Sequence, residues 1–122
     1  YVPCEKLGGK SIAETLLTPT KIYVKSILAL LQQVDVKGIS HITGGGFFEN
    51  IPRILPEGLA AKVTLGTWEV PPIFPYIQKC GNIETKEMYS TYNMGAGMMM
   101  FVNAEDAEYW ETTAISGQHA SM

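Results

Sequence analysis

The stretch HITGGGFFENIPR, from His41 to Arg53, constrains the path of this chain more than any other. Three consecutive glycines, Gly44, Gly45 and Gly46, continue neither a strand nor a helix without conformational cost, so the apolar run before them ends there and the chain turns. Residues 39–42 read as a short strand, with Ile39 and His41 on one face and Ser40 and Ile42 on the other. Beyond the glycines, Asn50 followed by Ile51-Pro52 reads as a helix N-cap with proline just inside, which puts Arg53 in the first turns of that helix.

A glycine-rich turn at the carboxyl end of a strand can aim successive N–H groups at one concave spot and cradle an anion. Thr43 offers a hydroxyl to such a site, and Arg53 a bidentate contact to phosphate. The pattern is neither G-x-G-x-x-G nor G-x-x-x-x-G-K-[ST], so neither of those nucleotide-binding mechanisms transfers. An alternative stands beside the anion reading: the three glycines simply turn the chain tightly under packed Phe47 and Phe48. Glu49 is spaced to pair with Arg53 at i+4, which is preferred over a metal role. His41 taken alone reads as a hydrogen-bonded core histidine more readily than as a catalyst.

Elsewhere, Ser11 with Glu14 three residues on marks a helix start, and Thr18-Pro19-Thr20 a stop. Residues 21–24 read as extended, and residues 25–34 as an amphipathic helix, with Ile27, Leu28, Leu30, Leu31 and Val34 at three- and four-residue spacing. A turn is expected at 35–38. Residues 60–65 read as a strand and 68–70 as an extended edge. Pro71-Pro72 opens a helix running to Gly81, and 84–92 form another. The turn Asn93-Met94-Gly95-Ala96-Gly97 leads into a strand at 98–102, where Met94, Met98, Met99 and Met100 read as core filler. Residues 104–116 read as a helix stopped by Gly117, with a last extended piece at 119–122, and Trp68 and Trp110 are assigned to packing. Helices alternating with strands predict an α+β domain with a single mixed sheet covered by helices.

At 122 residues the chain fits one domain, and 46% hydrophobic against 17% charged residues is the balance of a packed globular protein rather than a disordered one. The net charge of −3, with eight scattered lysines and one arginine, gives no basic stripe for nucleic acid. No apolar run approaches the ~20 residues of a membrane helix. Cys4 and Cys80 lack any zinc spacing and read as reduced thiols.

Four ordered blocks, LLTPTKIYVK, HITGGGFFENIPRILPEGL, VPPIFPYIQKCGNI and EMYSTYNMGAGM, resemble the C-terminal domain of phosphoribosylformylglycinamidine cyclo-ligases, also called aminoimidazole ribonucleotide synthetases. The resemblance runs from about Gly8 to Ala107, and the sequence EYWETTAISGQHASM beyond it matches weakly. It implies a three-layer α/β/α arrangement of partial ferredoxin-like similarity, and ATP-dependent closure of an imidazole ring on formylglycinamidine ribonucleotide in purine biosynthesis. By the family pattern His41 is the catalytic residue, Thr43, Gly44, Gly45, Gly46, Asn50 and Arg53 bind substrate or phosphate, and Thr20, Tyr23, Asn93, Gly95 and Gly97 line the cleft. The same pattern implies a preceding ATP- and Mg²⁺-binding domain, a homodimer, a cytoplasmic location, and little activity for this stretch alone, which is expected to be clipped at both ends. The competing expectation is a free-standing, non-enzymatic module that binds a nucleotide, phosphate or partner.

Overall fold

The computed structural model describes residues 2–107 of the chain. Five α-helices and two strands lie wholly within that range: α1 (Ile12–Leu16), α2 (Val24–Leu31), β1 (Gly38–His41), α3 (Gly46–Asn50), α4 (Ile73–Gly81), α5 (Thr85–Thr91) and β2 (Met98–Phe101). Single 3₁₀ turns occupy Glu5–Leu7 and Pro52–Ile54. The chain divides into two compact units, Tyr1–Ile22 with Ser40–Met99 and Tyr23–Ile39 with Met100–Met122. β1 and β2 pair as a two-stranded sheet. Flanking bonds from Lys37 N–H to the Phe101 carbonyl (2.7 Å) and from Ile42 N–H to the Gly97 carbonyl (2.9 Å) fix its antiparallel register. The α+β class expected from the sequence is therefore what the described residues form.

In the first unit the Ser11 prediction holds in atomic detail. Its hydroxyl accepts from the Glu14 N–H (3.2 Å) while the Glu14 carboxylate accepts from the Ser11 N–H (2.8 Å), the reciprocal capping box that starts α1. The bond from the Ser11 N–H, and after it one that the Ser11 hydroxyl donates to the same carboxylate (2.7 Å), hold the Glu14 carboxyl below its usual range. α4 starts behind Pro71-Pro72 as expected, and ends on Asn82, whose φ of 48° closes the helix in the left-handed region. The side-chain amide of Gln78 donates to the Ile83 carbonyl (3.1 Å) and the Thr85 hydroxyl (3.2 Å), which ties the end of α4 to the start of α5. The core of this unit is Leu7, Ile42, Phe47, Ile51, Met88 and Met94, all buried, and α3 packs directly on α5.

In the second unit α2 buries Leu30 and exposes Val24, Leu28 and Leu31. It begins and ends earlier than the periodicity predicts, because residues after Leu31 turn back with the Gln33 and Val34 N–H groups both donating to the Leu30 carbonyl. Lys37 pairs with Asp35, which raises the ammonium pKa through a hydrogen bond and charge attraction.

Several expectations are corrected. Residues 21–23 are irregular and Val24 already belongs to α2, so no extended element forms there. Residues 60–65 and 68–70 form no strand among the described residues, since β-propensity gives a strand only where a partner supplies the ladder. Gly38 opens β1 instead of closing a turn, and Phe48 and Met100 are exposed rather than packed. Residues 104–107 are helical; the remainder of the expected helix to 116, Trp110, Gly117 and the extended piece at 119–122 lie outside the described residues.

Candidate functional site

β1 delivers the site. Its alternation is the one the sequence predicts for Ser40, His41 and Ile42: Ser40 and Ile42 are buried, and His41 is exposed at the strand's end. The chain then turns through Thr43 and Gly44 and enters α3 at Gly45, whose φ of 92° is left-handed, with Gly46 at 57°. The helix therefore starts earlier than expected. Asn50 is its last residue rather than an N-cap, and Pro52 opens the 3₁₀ turn beyond.

Asn50 reaches backward, and it is nearly buried at 7% exposure. Its side-chain amide donates to the carbonyls of Gly46 (2.7 Å), Gly44 (3.2 Å) and Thr43 (3.4 Å), and its amide oxygen accepts from the Thr43 hydroxyl at 3.5 Å. The buried Ser40 hydroxyl in turn donates to the Asn50 carbonyl at 3.1 Å. In a trans peptide the C=O and the following N–H point in opposite directions. Turning the carbonyls of Thr43, Gly44 and Gly46 toward Asn50 therefore turns the N–H groups of Gly44, Gly45 and Phe47 away from it. Among the described residues the N–H groups of Gly44 and Gly45 donate to no backbone carbonyl.

The three glycines separate by cause. A Cβ on Gly46 would collide with the Tyr89 carbonyl of α5, and one on Gly45 would strike the Glu49 side chain. Both have left-handed φ values, so the fold itself requires glycine at each. Gly44 has neither restriction: no atom of the described residues lies within 4 Å of its Cβ position.

Beneath the loop, Phe47 sits 5.2 Å from Tyr89 and 5.9 Å from Trp68, ring centroid to centroid, and the Trp68 indole N–H donates to the Met94 carbonyl at 2.9 Å. The packing expected of Trp68 is thus found, and it anchors the second glycine turn. There the Asn93 amide oxygen accepts from the Gly95 N–H (2.9 Å), Gly95 has a φ of 93° against the Pro71 ring, and the buried Gly97 gives its carbonyl to Ile42. Arg53 pairs with Glu49 at 3.4 Å, both side chains about two thirds exposed, as the i+4 spacing predicts. Thr20 is exposed in the irregular stretch after α1, and Tyr23, half-buried, caps α2 in the second unit. Cys4 and Cys80 are free thiols. Among the described residues no three His, Cys, Asp or Glu side chains come together as metal ligands, and no helix is long and apolar enough to cross a membrane.

Of the predicted site residues, the structure joins Thr43, Gly44, Gly46 and Asn50 in one hydrogen-bonded cluster. Ser40 was missed by sequence reasoning. The signal for it was a lone hydroxyl at an inward-facing strand position, where burial demands a partner.

Comparison with known proteins places this sequence in a family. The pattern described as AIR synthase related protein, C-terminal domain, matches residues 3–120. A phosphoribosylformylglycinamidine cyclo-ligase of Alkaliphilus metalliredigens is 59% identical over 100 residues, which cover 82% of this chain and 29% of that protein. Proteins of the same name from Bifidobacterium longum and Methylobacillus flagellatus are 56% identical over 99 residues and 54% over 124, covering 81% and 92% of this chain. The chain spans 29–36% of the length of these relatives. It belongs to the family of AIR synthase related proteins, C-terminal domain.

Proposed function

We propose that this chain is the substrate-side, C-terminal part of an ATP-dependent cyclo-ligase that converts formylglycinamidine ribonucleotide to aminoimidazole ribonucleotide in purine biosynthesis. The single observation that carries the site assignment is Gly44. Gly45 and Gly46 are glycines because the fold requires it, whereas Gly44 is exposed and unstrained, no described atom lies within 4 Å of its Cβ position, and the N–H groups of Gly44 and Gly45 are turned away from Asn50. A ligand group that approaches the backbone there accounts for glycine where the fold does not.

In this reading the outward N–H groups of Gly44 and Gly45 hold phosphate or ribose, and Thr43 adds its hydroxyl. His41, exposed at the end of β1, hydrogen-bonds the substrate or polarises the amide that reacts. Among the described residues Arg53 is held by an exposed pair with Glu49, an arrangement worth about 1 kcal/mol or less, so a phosphate oxygen can displace the carboxylate. Thr20, Asn93, Gly95 and Gly97 belong to the walls of the cleft, with Gly95 and Gly97 acting through packing.

ATP supplies the phosphoryl group that turns the formyl oxygen into a leaving group, and with Mg²⁺ it belongs to the preceding part of the polypeptide. The remaining assignments are a homodimeric, cytoplasmic enzyme with little turnover from these residues alone. Within it, residues 1–122 form one domain, whose two strands extend into a single mixed sheet of a three-layer α/β/α fold with partial ferredoxin-like similarity.

The test is ATP-dependent ring closure of formylglycinamidine ribonucleotide by this chain, alone and joined to the ATP-binding part of the polypeptide. Turnover only in the joined form is expected. No turnover in either form, with both parts folded, would favour a binding module that does no chemistry.

A further inference from the structure

The amide of Asn50 is spent inside the protein. Its two N–H bonds are shared among three carbonyls, its oxygen faces the Thr43 hydroxyl, its own carbonyl receives the Ser40 hydroxyl, and the residue is 7% exposed. Both of its N–H donors are therefore turned toward the loop backbone rather than toward a ligand. Together with the Gly46 N–H, which also donates to the Thr43 carbonyl (3.0 Å), the amide sets the orientation of the peptides 43–44, 44–45 and 46–47, because each bond to a carbonyl fixes the direction of the N–H on the other side of the same plane.

We propose that Asn50 is a positioning residue: it touches no ligand, and it pre-organises the Gly44 and Gly45 N–H groups by holding the carbonyls behind them. The inference rests on the reading of the glycine loop as a ligand-binding element. Glycine has the largest conformational freedom of any residue, so two adjacent glycines fix no N–H direction by themselves. A side chain seven residues or fewer away, on a helix already packed against α5, supplies the restraint. Ser40 extends it to β1 and so ties the loop to the strand that carries His41.

Two measurements test it. The first titrates ribose 5-phosphate into the ¹⁵N-labelled native chain and follows backbone and side-chain amides. The Gly44 and Gly45 cross-peaks should move with a common saturation curve while the Asn50 side-chain pair stays. An Asn50 pair that moves as far as the glycines would overturn the positioning role and leave the loop as a binding element. Unmoved glycines would sink the loop reading, and the inference with it.

The second uses Asn50→Asp, which keeps shape and removes both N–H donors. In the ligand-free chain the order parameters of Gly44 and Gly45 should fall below about 0.6 while those of α4 and α5 stay near 0.85. In the complete enzyme, KM for the ribonucleotide should rise about tenfold or more with a smaller change in kcat, as loss of ground-state binding requires. A raised KM with rigid glycines would mean that Asn50 meets the ligand directly. If Asn50→Asp fails to fold, the titration of the native chain decides alone.

Discussion

Residues 43–51 and residues 59–65 lie in the same unit, flank the same open apolar groove of about 670 Å³, and are organised in opposite ways. In the first stretch the backbone is held by its own neighbourhood: Asn50 on three carbonyls, Gly46 pressed on Tyr89, Phe47 against Tyr89 and Trp68. In the second, Leu59, Val63 and Leu65 contribute side chains to the groove, yet no backbone ladder forms and Leu59 and Leu65 remain more than half exposed. Short-range side-chain-to-backbone bonds specify a loop from within, whereas an extended segment of equal promise depends on a partner strand.

The contrast can be broken at either end. The largest effect is expected for Gly46→Ala, which puts a methyl group into the Tyr89 carbonyl at a left-handed φ and should cost about 2–4 kcal/mol in urea unfolding. A loss under 1 kcal/mol would show that α3 can move off α5. Next, Ile51→Ala at 3% exposure should cost about 2–4 kcal/mol, and Val63→Ala, half-buried across the groove, about 1 kcal/mol or less. Equal losses would erase the distinction between the two stretches. Amides of residues 60–65 should exchange at nearly unprotected rates while that of Ile42, bonded to Gly97, is slowed.

The smallest effect concerns pH. The Glu14 carboxyl has a folded-state pKa below its unfolded value, so its contribution to α1 is present above the ordinary carboxylate range and is lost as pH falls through the lowered value. Helical signals from α1 should fade over that acid window, and they should be indifferent to pH in Glu14→Gln.

How much of this could be read beforehand follows from range. The Ser11 cap, the start of α4 at Pro71-Pro72 and the face alternation of β1 were legible because each is decided within a few residues. Asn50 was misread as an N-cap because the same side chain can satisfy N–H groups ahead of it or carbonyls behind it. The left-handed start at Gly45 settled the choice by beginning the helix earlier. The strand expected at 60–65 failed for the complementary reason: its hydrophobic pattern is local, but its hydrogen bonds are not. Family membership was legible in four blocks of sequence, whereas the separate causes of three adjacent glycines became visible only with neighbours in place.

That separation is also the most direct point of test. Gly44→Ala, made in the complete enzyme, should leave stability within about 1 kcal/mol, since the added methyl group meets no atom of the described residues. It should also raise KM for formylglycinamidine ribonucleotide about tenfold or more, the loss expected when an N–H contact to an anionic group is blocked. An unchanged KM in a stably folded Gly44→Ala variant would contradict the assignment of this loop to the ligand.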